Sequence, residues 1–397
     1  MTKYIICLGD GMADHNIKQL NEKTPLEVAN TPNIDFISKN GNLGMVDTVP
    51  IGFSPGSDVA NMGILGYDPN LYYTGRGPIE AASMNISCSP TDIIFRCNIV
   101  SIENSTMNDF TSGHISTEES QQLINELNAE FKNSPITFYS GVSYRHIMVV
   151  EEKFAKLITH APHDITDKNI SSYLPAGEND KEFLKIIKKA NHILAESNVN
   201  LKRKKNNQKL ATSIWPWSQG TKPNMPSFKS QFQKTGGIIT AVDLLKGLGK
   251  LVDLETPNII GATGFIDTNY EEKVKGALSI LNSHDFCYLH IEAPDEAGHM
   301  GDVNLKIQAI EDFDKKVVGP ILNYQEKNPD CVIMVLPDHP TPCDIKTHTH
   351  EPVPYCFYHK SIKSKSLKTY SEKNAKETKN HFHTPWDLLK TFLNTKP

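Results

Sequence analysis

The sequence predicts an α/β protein built on a mainly parallel sheet flanked by helices, with a smaller α+β domain inserted in it. Three observations point there. Short apolar runs of strand type alternate with amphipathic stretches of helical type. Several of those runs end directly in Asp or His motifs, at the edge where open α/β sheets bind ligands. Through the middle of the chain polar loops break up the apolar runs before either period is sustained, as expected of an insertion with a different architecture. At 397 residues the chain is long enough for two or three domains.

The first strand is Tyr4 to Leu8, closed by Gly9-Asp10-Gly11. Residues 1–70 form the first part of the main domain, and Phe53-Ser54-Pro55-Gly56-Ser57-Asp58-Val59-Ala60-Asn61 within them reads as a turn leading into a helix. Ser57 has two compatible readings there, an N-cap for the helix or a nucleophile, because a helix N-terminus also favours an incoming phosphate. Residues 71–234 are assigned to the inserted second domain, which carries an Asn- and Lys-rich loop at Lys202 to Asn207 and a Trp215-Pro216-Trp217 knot. Residues 235–397 return to the main domain. Its strands are 286–291, 331–336 and 353–358, and Val303 to Leu322 reads as a helix because Val303, Ile307, Ile310, Phe313, Val317 and Ile321 recur at three- and four-residue steps.

Chemistry-bearing residues collect at the strand ends. Asp10 follows the first strand, Asp338 and His339 follow 331–336, and Asp295 and His299 follow 286–291 at the four-residue spacing that shares a helix face. His348 precedes the strand at 353–358. Each motif alone could be an ordinary polar turn, but together they suggest a site for a divalent ion. Carboxylates and imidazoles without thiolates suit manganese first, with zinc or magnesium as alternatives.

Composition excludes several other classes. With 38% hydrophobic and 22% charged residues the chain is neither disordered nor membrane-spanning. Its 41 basic against 46 acidic residues, net −5, argue against nucleic acid as a partner. Seven scattered cysteines without a C-x-x-C pair suit a reducing compartment, and the apolar run at 4–8 is too short for a signal peptide, so a cytoplasmic location is expected. Gly9-Asp10-Gly11, Gly75-Arg76-Gly77 and Gly247-Leu248-Gly249-Lys250 each lack part of a nucleotide-binding loop, so no nucleotide cofactor is expected.

Gly9-Asp10-Gly11, Pro55 to Asn61, Asp295 to His299, Leu336 to His339, and His348 with Pro352-Val353-Pro354 occur in order over most of the chain. This combination resembles the cofactor-independent phosphoglycerate mutases of archaeal type, in the alkaline phosphatase superfamily. The resemblance implies an alkaline-phosphatase-like domain interrupted by a cap. It implies two divalent metal ions, one held by Asp10, Ser57, Asp338 and His339 and the other by Asp295, His299 and His348. Ser57 would carry the phosphoryl group between the hydroxyls of a small phosphorylated acid. Arg96, His114, Arg145, His163 and Asp164 are the cap candidates for binding that acid. A homoserine kinase or a phosphohydrolase on the same scaffold is the alternative enzyme, and a non-catalytic metal- or phosphate-binding protein the alternative outside catalysis. The oligomeric state is left open, and the C-terminal His381 to Trp386 segment departs from the glycine-rich ending of that family and is given no catalytic role.

Overall fold

The computed structural model describes residues 2–362 and 365–395. Among the described residues twelve strands run in chain order as β1 (Lys3–Gly9), β2 (Asn42–Val46), β3 (Ile93–Glu103), β4 (Thr106–Asp109), β5 (Thr137–Tyr139), β6 (Arg145–Val150), β7 (Ser213–Gly220), β8 (Gly236–Ile239), β9 (Phe286–Ile291), β10 (Cys331–Leu336), β11 (Val353–Tyr358) and β12 (His381–Phe382). Two compact units contain them, Met1–Tyr73 with Met225–Pro397, and Thr74–Asn224.

The first unit is a seven-stranded sheet in the order β12-β2-β11-β10-β1-β9-β8. β1 pairs in parallel with both β9 and β10, with Leu8 opposite His290 and Leu336, and β11 is the antiparallel member. Ile5, Ile6, Cys7 and Leu8 are fully buried. A strand covered by helices on both faces is apolar throughout, so the run reads as continuous and not alternating. This sheet is the mainly parallel one the sequence predicts. All seven cysteines are free, and no helix among the described residues is long and apolar enough to cross a membrane.

The helix expected at Val303 to Leu322 is longer and less regular. It runs Val303–Phe313, passes through a π-helical turn at Asp314–Val318, and continues Gly319–Lys327. The Asp314 carboxylate in that turn accepts the amides of Asn33 and Ile34 at 3.3 and 2.7 Å. It thereby caps the helix Pro32–Asn40, whose own N-cap Thr31 makes no side-chain bond.

The second unit is a five-stranded sheet, β4-β3-β6-β5 with β7 on the other side of β3, paired antiparallel throughout. Helices Thr117–Phe131 and Asp180–Glu196 pack on it. Two sequence expectations change here. Trp215-Pro216-Trp217 lies in strand β7, not a knot. Lys202 to Lys205 closes the helix Asn198–Lys205, not a loop, because Ser197 caps its start and basic residues favour a helix C-terminus. Arg203 of that run is buried, donating to the carbonyls of Lys209 (2.8 Å) and Ser112 (2.6 Å) and pairing with Glu119.

Candidate metal centre

Parallel register sets the strand ends side by side. Leu8 of β1 lies opposite Leu336 of β10, and Gly9 opposite Ile291 of β9, so the residues just beyond these strands are neighbours. Asp10 is held there by its amide, which donates to the Ile291 carbonyl at 2.9 Å. Gly11 then turns with φ +60°, and a Cβ on it would stand 2.6 Å from both Asp295 Oδ1 and Thr341 Oγ1, so the chain needs glycine at this point.

Asp10, Asp338 and His339 form one buried group whose donor atoms lie within 4.8 Å of one another. Asp338 Oδ1 accepts the amides of Gly11 and His339, and its Oδ2 accepts Asn61 Nδ2 at 2.7 Å. Asn61 also donates to the Ser57 carbonyl and accepts from Tyr288, tying the Ser57 turn to the Asp338 loop. Asp10 Oδ2 meets His290 Nε2 at 3.0 Å, while Asp10 Oδ1 is buried without a hydrogen-bond partner. Burial, reinforced by the Asp338 carboxylate, pushes the Asp10 carboxyl well above its usual range. An unmatched buried carboxylate oxygen beside a second carboxylate is the arrangement that a cation completes.

Asp295, His299 and His348 form a second such group. The helix Ala293–Met300 sets Asp295 and His299 one turn apart at 3.2 Å, and Gly301, at φ +70°, ends it. Burial alone would raise Asp295, but the facing His299 and His348 hold its carboxyl well below the usual range. His299 is correspondingly raised to about 9 by its bond to Asp295, against the opposing effect of burial. His299 Nε2 and His348 Nε2 face each other at 3.0 Å, and the opposite nitrogen of His299 contacts the Lys346 carbonyl. His339 and His348 rings lie with centroids 4.0 Å apart and planes tilted by 35°, which brings the two groups together. Carbonyl support on one ring nitrogen with the other turned inward is how histidine metal ligands are oriented.

Ser57 is the first residue of the helix Ser57–Ile64, and its Oγ lies 3.2 Å from His339 Nε2. Gly56, not Ser57, is the N-cap, and no side chain caps this helix. The cap reading of Ser57 therefore falls, leaving its hydroxyl directed at the Asp/His cluster.

Several supports were not singled out in the sequence. His290, buried inside β9, reads as an ordinary core residue, yet it reaches Asp10 and Thr240, and burial lowers it to about 3. Thr341 bridges Asp295 Oδ1 and His339 Nδ1. Lys306 is fully buried, donating to Ala13 O (3.1 Å), Thr341 O (2.8 Å) and Asp14 Oδ2 (2.8 Å), so one ammonium joins the loops after β1 and β10. Only its place on a helix face was legible.

The cap candidates all lie in the second unit. Arg96 is buried on β3, ion-paired with Glu80 at 3.0 Å and stacked over Trp217 at 4.6 Å. His163 packs edge-on against the same Trp217, and Asp164 beside it is exposed. Arg145 stands close enough to act electrostatically on both Glu80 and Arg96. His114 is exposed, in a left-handed backbone conformation at φ +50°. Arg96, Arg145 and His163 thus belong to one neighbourhood, while the His114 amide donates to Thr111 Oγ1 at 2.9 Å.

The strand-edge fold and its two Asp/His groups define an α/β protein with two candidate sites for divalent metal ions. A family profile described as 2,3-bisphosphoglycerate-independent phosphoglycerate mutase matches residues 38–200. The chain is 45% identical to the 2,3-bisphosphoglycerate-independent phosphoglycerate mutase of Methanosarcina barkeri, over 94% of this chain and 95% of that protein. It is 43% identical to a probable enzyme of the same description from Geobacter sulfurreducens, over 94% and 95%. A solved Pyrococcus horikoshii protein superposes with TM-score 0.83 at 29% identity, covering 99% of this chain and 97% of that one. The fold is also that of the Thermoplasma acidophilum cofactor-independent phosphoglycerate mutase, with TM-score 0.68, 23% identity and 99% of each chain covered. The chain belongs to the 2,3-bisphosphoglycerate-independent phosphoglycerate mutase family.

Proposed function

We propose that this protein interconverts 3-phosphoglycerate and 2-phosphoglycerate through a phosphoserine at Ser57, with two divalent metal ions, manganese by preference. The observation that carries the reading is the Ser57 hydroxyl, on the first residue of a helix and 3.2 Å from His339 in a cluster of two carboxylates and one imidazole. Asp10, Ser57, Asp338 and His339 would hold one ion, and Asp295, His299 and His348 the other. The Asp10 oxygen that lacks a hydrogen bond, 3.5 Å from His339 Nε2, and the inward-facing imidazole nitrogens fit that role. When bound, such ions lower the pKa of a hydroxyl and neutralise charge on phosphoryl oxygens.

Ser57 Oγ attacks phosphorus, the bond from phosphorus to the glycerate oxygen breaks, and glycerate leaves with the proton that Ser57 gave up. The amides of Ser57 and Asp58 at the helix start would receive the phosphoryl oxygens, since those of Val59 and Ala60 are taken by Asp58 Oδ1 and the Gly56 carbonyl. Asn61 fixes the Ser57 backbone relative to Asp338, which holds the nucleophile on its line of attack. Glycerate then presents its other hydroxyl to phosphoserine, takes the phosphoryl group, and Ser57 recovers its proton.

The unit Thr74–Asn224 is proposed as the cap that binds substrate and excludes water, the condition separating a mutase from a phosphatase. Arg76 and Arg96 pair with Glu80, and Arg145 acts on it electrostatically, a gathering of positive charge suited to a phosphorylated acid. Arg96, Arg145 and His163 are the proposed contacts, together with His114 and Asp164, with Arg96 held by its ion pair to Glu80. A reducing cytoplasm suits the seven free thiols.

Phosphorus NMR of protein with 3-phosphoglycerate and manganese, without ATP or bisphosphoglycerate, tests the reading. The expected product is 2-phosphoglycerate with little inorganic phosphate. Phosphate as the main product assigns a hydrolase, and ATP-dependent phosphorylation of homoserine without mutase turnover assigns a kinase.

A further inference from the structure

A third group of metal-ligating side chains lies outside the two already described. Asp47, His381 and His383 place one donor atom each within 4.8 Å of one another. Asp47 directly follows β2, and the two histidines flank Phe382 on β12. β12 pairs in parallel with β2, His381 opposite Met45 and Phe382 opposite Val46. The Asp47 amide closes the ladder by donating to the Phe382 carbonyl at 3.0 Å.

This ladder has a steric consequence. Residues two apart on a strand project from one face, so both imidazoles stand on the Asp47 side. Phe382 projects the other way, against Tyr355 at 5.5 Å. The imidazoles stack with centroids 4.5 Å apart and planes at 27°, and each addresses its own oxygen of Asp47: His381 Nε2 meets Oδ1 at 2.9 Å and His383 Nδ1 meets Oδ2 at 3.0 Å. Two surface ion pairs alone would gain little from this registration, since exposed pairs contribute little to stability. Two imidazoles and a carboxylate held by backbone hydrogen bonds are instead a three-ligand set for a borderline divalent ion, with a further position left for water.

We propose that Asp47, His381 and His383 bind a third divalent metal ion, of zinc type, distinct from the pair at Ser57. Its place assigns it a structural role. It clips the C-terminal strand to the end of β2, where the segment leading to Ser57 begins, and the helix Pro385–Leu393 starts just beyond His383, after its N-cap Thr384. Pro385 lies against Gly63 of the Ser57 helix, where an added Cβ would stand 2.7 Å from its Cγ.

The test uses the full chain with its manganese sites filled, titrated with zinc. Total metal per chain is then counted after dialysis in wild type and in His383→Ala, whose imidazole is largely exposed and whose loss leaves packing intact. Wild type should hold one more ion per chain than the variant, whatever the shared count. At a hundredfold excess over the dissociation constant, zinc should raise the wild-type melting temperature by about 5 °C and leave the variant unchanged. Asp47→Asn, which keeps a hydrogen-bond acceptor but removes the charge, should lose the same ion. Equal metal counts and equal melting shifts in all three proteins overturn the proposal.

Discussion

Lys306→Met removes the ammonium that joins the loops after β1 and β10 and leaves the stem that packs in the core. Lys306 Nζ donates to two carbonyls and to Asp14, and its side chain is wholly buried. Deleting one member of a buried ion pair costs about 3–5 kcal/mol. Asp14 keeps the amides of His15 and Cys343 in the variant, so the lower end applies and a loss of about 3 kcal/mol is expected. In urea that is a midpoint lowered by roughly 1 M. The carbonyls of Ala13 and Thr341 lose their shared donor, so the Asp10 and His339 loops should separate and manganese affinity fall by about 10- to 100-fold, the usual effect of removing a supporting group. Asp14→Asn in the Lys306→Met background removes the stranded charge and should recover part of the stability but none of the metal affinity. Equilibrium unfolding and manganese titration of the two variants decide it. A cost under about 1 kcal/mol for Lys306→Met, or no recovery in the double variant, refutes the argument.

Ser57→Ala should abolish phosphoenzyme and lower turnover at least about a thousandfold, with stability changed by less than about 1 kcal/mol because Gly56 is the cap; near wild-type turnover would remove Ser57 from the mechanism. Chelation should abolish activity and manganese restore it, and full activity in protein shown metal-free by elemental analysis would count against both ions. In metal-free protein, His299 is raised to about 9 by Asp295. Its contribution to stability is therefore complete below the unfolded value of about 6.5 and disappears as pH rises through 9. Denaturation midpoints across that window should fall for wild type and stay flatter for His299→Ala, and parallel curves would contradict the assignment.

How much of this was legible in the sequence depended on what each segment buries. The strands at 286–291, 331–336 and 353–358 coincide with β9, β10 and β11, since strands covered on both faces leave uninterrupted apolar runs. The Asp and His residues beyond them stood out for the same reason. β3 was hidden because Arg96 and Asn98 interrupt its run, and each is satisfied by a partner distant in sequence, Glu80 and Trp217. β2 and β8 were hidden by their glycines: the chain at Gly44 lies against Asn380 and that at Gly236 against Phe286, too close for a side chain. His290 and Lys306 acquire their meaning only from loops brought together by the fold. His381 and His383 were visible as a pair, but Asp47, more than three hundred residues earlier, supplies the third group.

The strand order also sets a timetable for synthesis. β1 and β2, both within the first 46 residues, are not neighbours, and the partners of β1 begin at Phe286 and Cys331. At about 5–20 residues per second, the apolar segment at 3–9 emerges roughly 15 to 55 seconds before the first strand that can pair with it. The contiguous unit Thr74–Asn224 can complete its own antiparallel sheet in that interval. The nascent chain therefore carries a finished domain beside an unpaired hydrophobic strand, the kind of segment on which chaperones act. Substitutions that make residues 3–9 stickier should lower the yield of folded protein even where they leave the finished sheet unharmed.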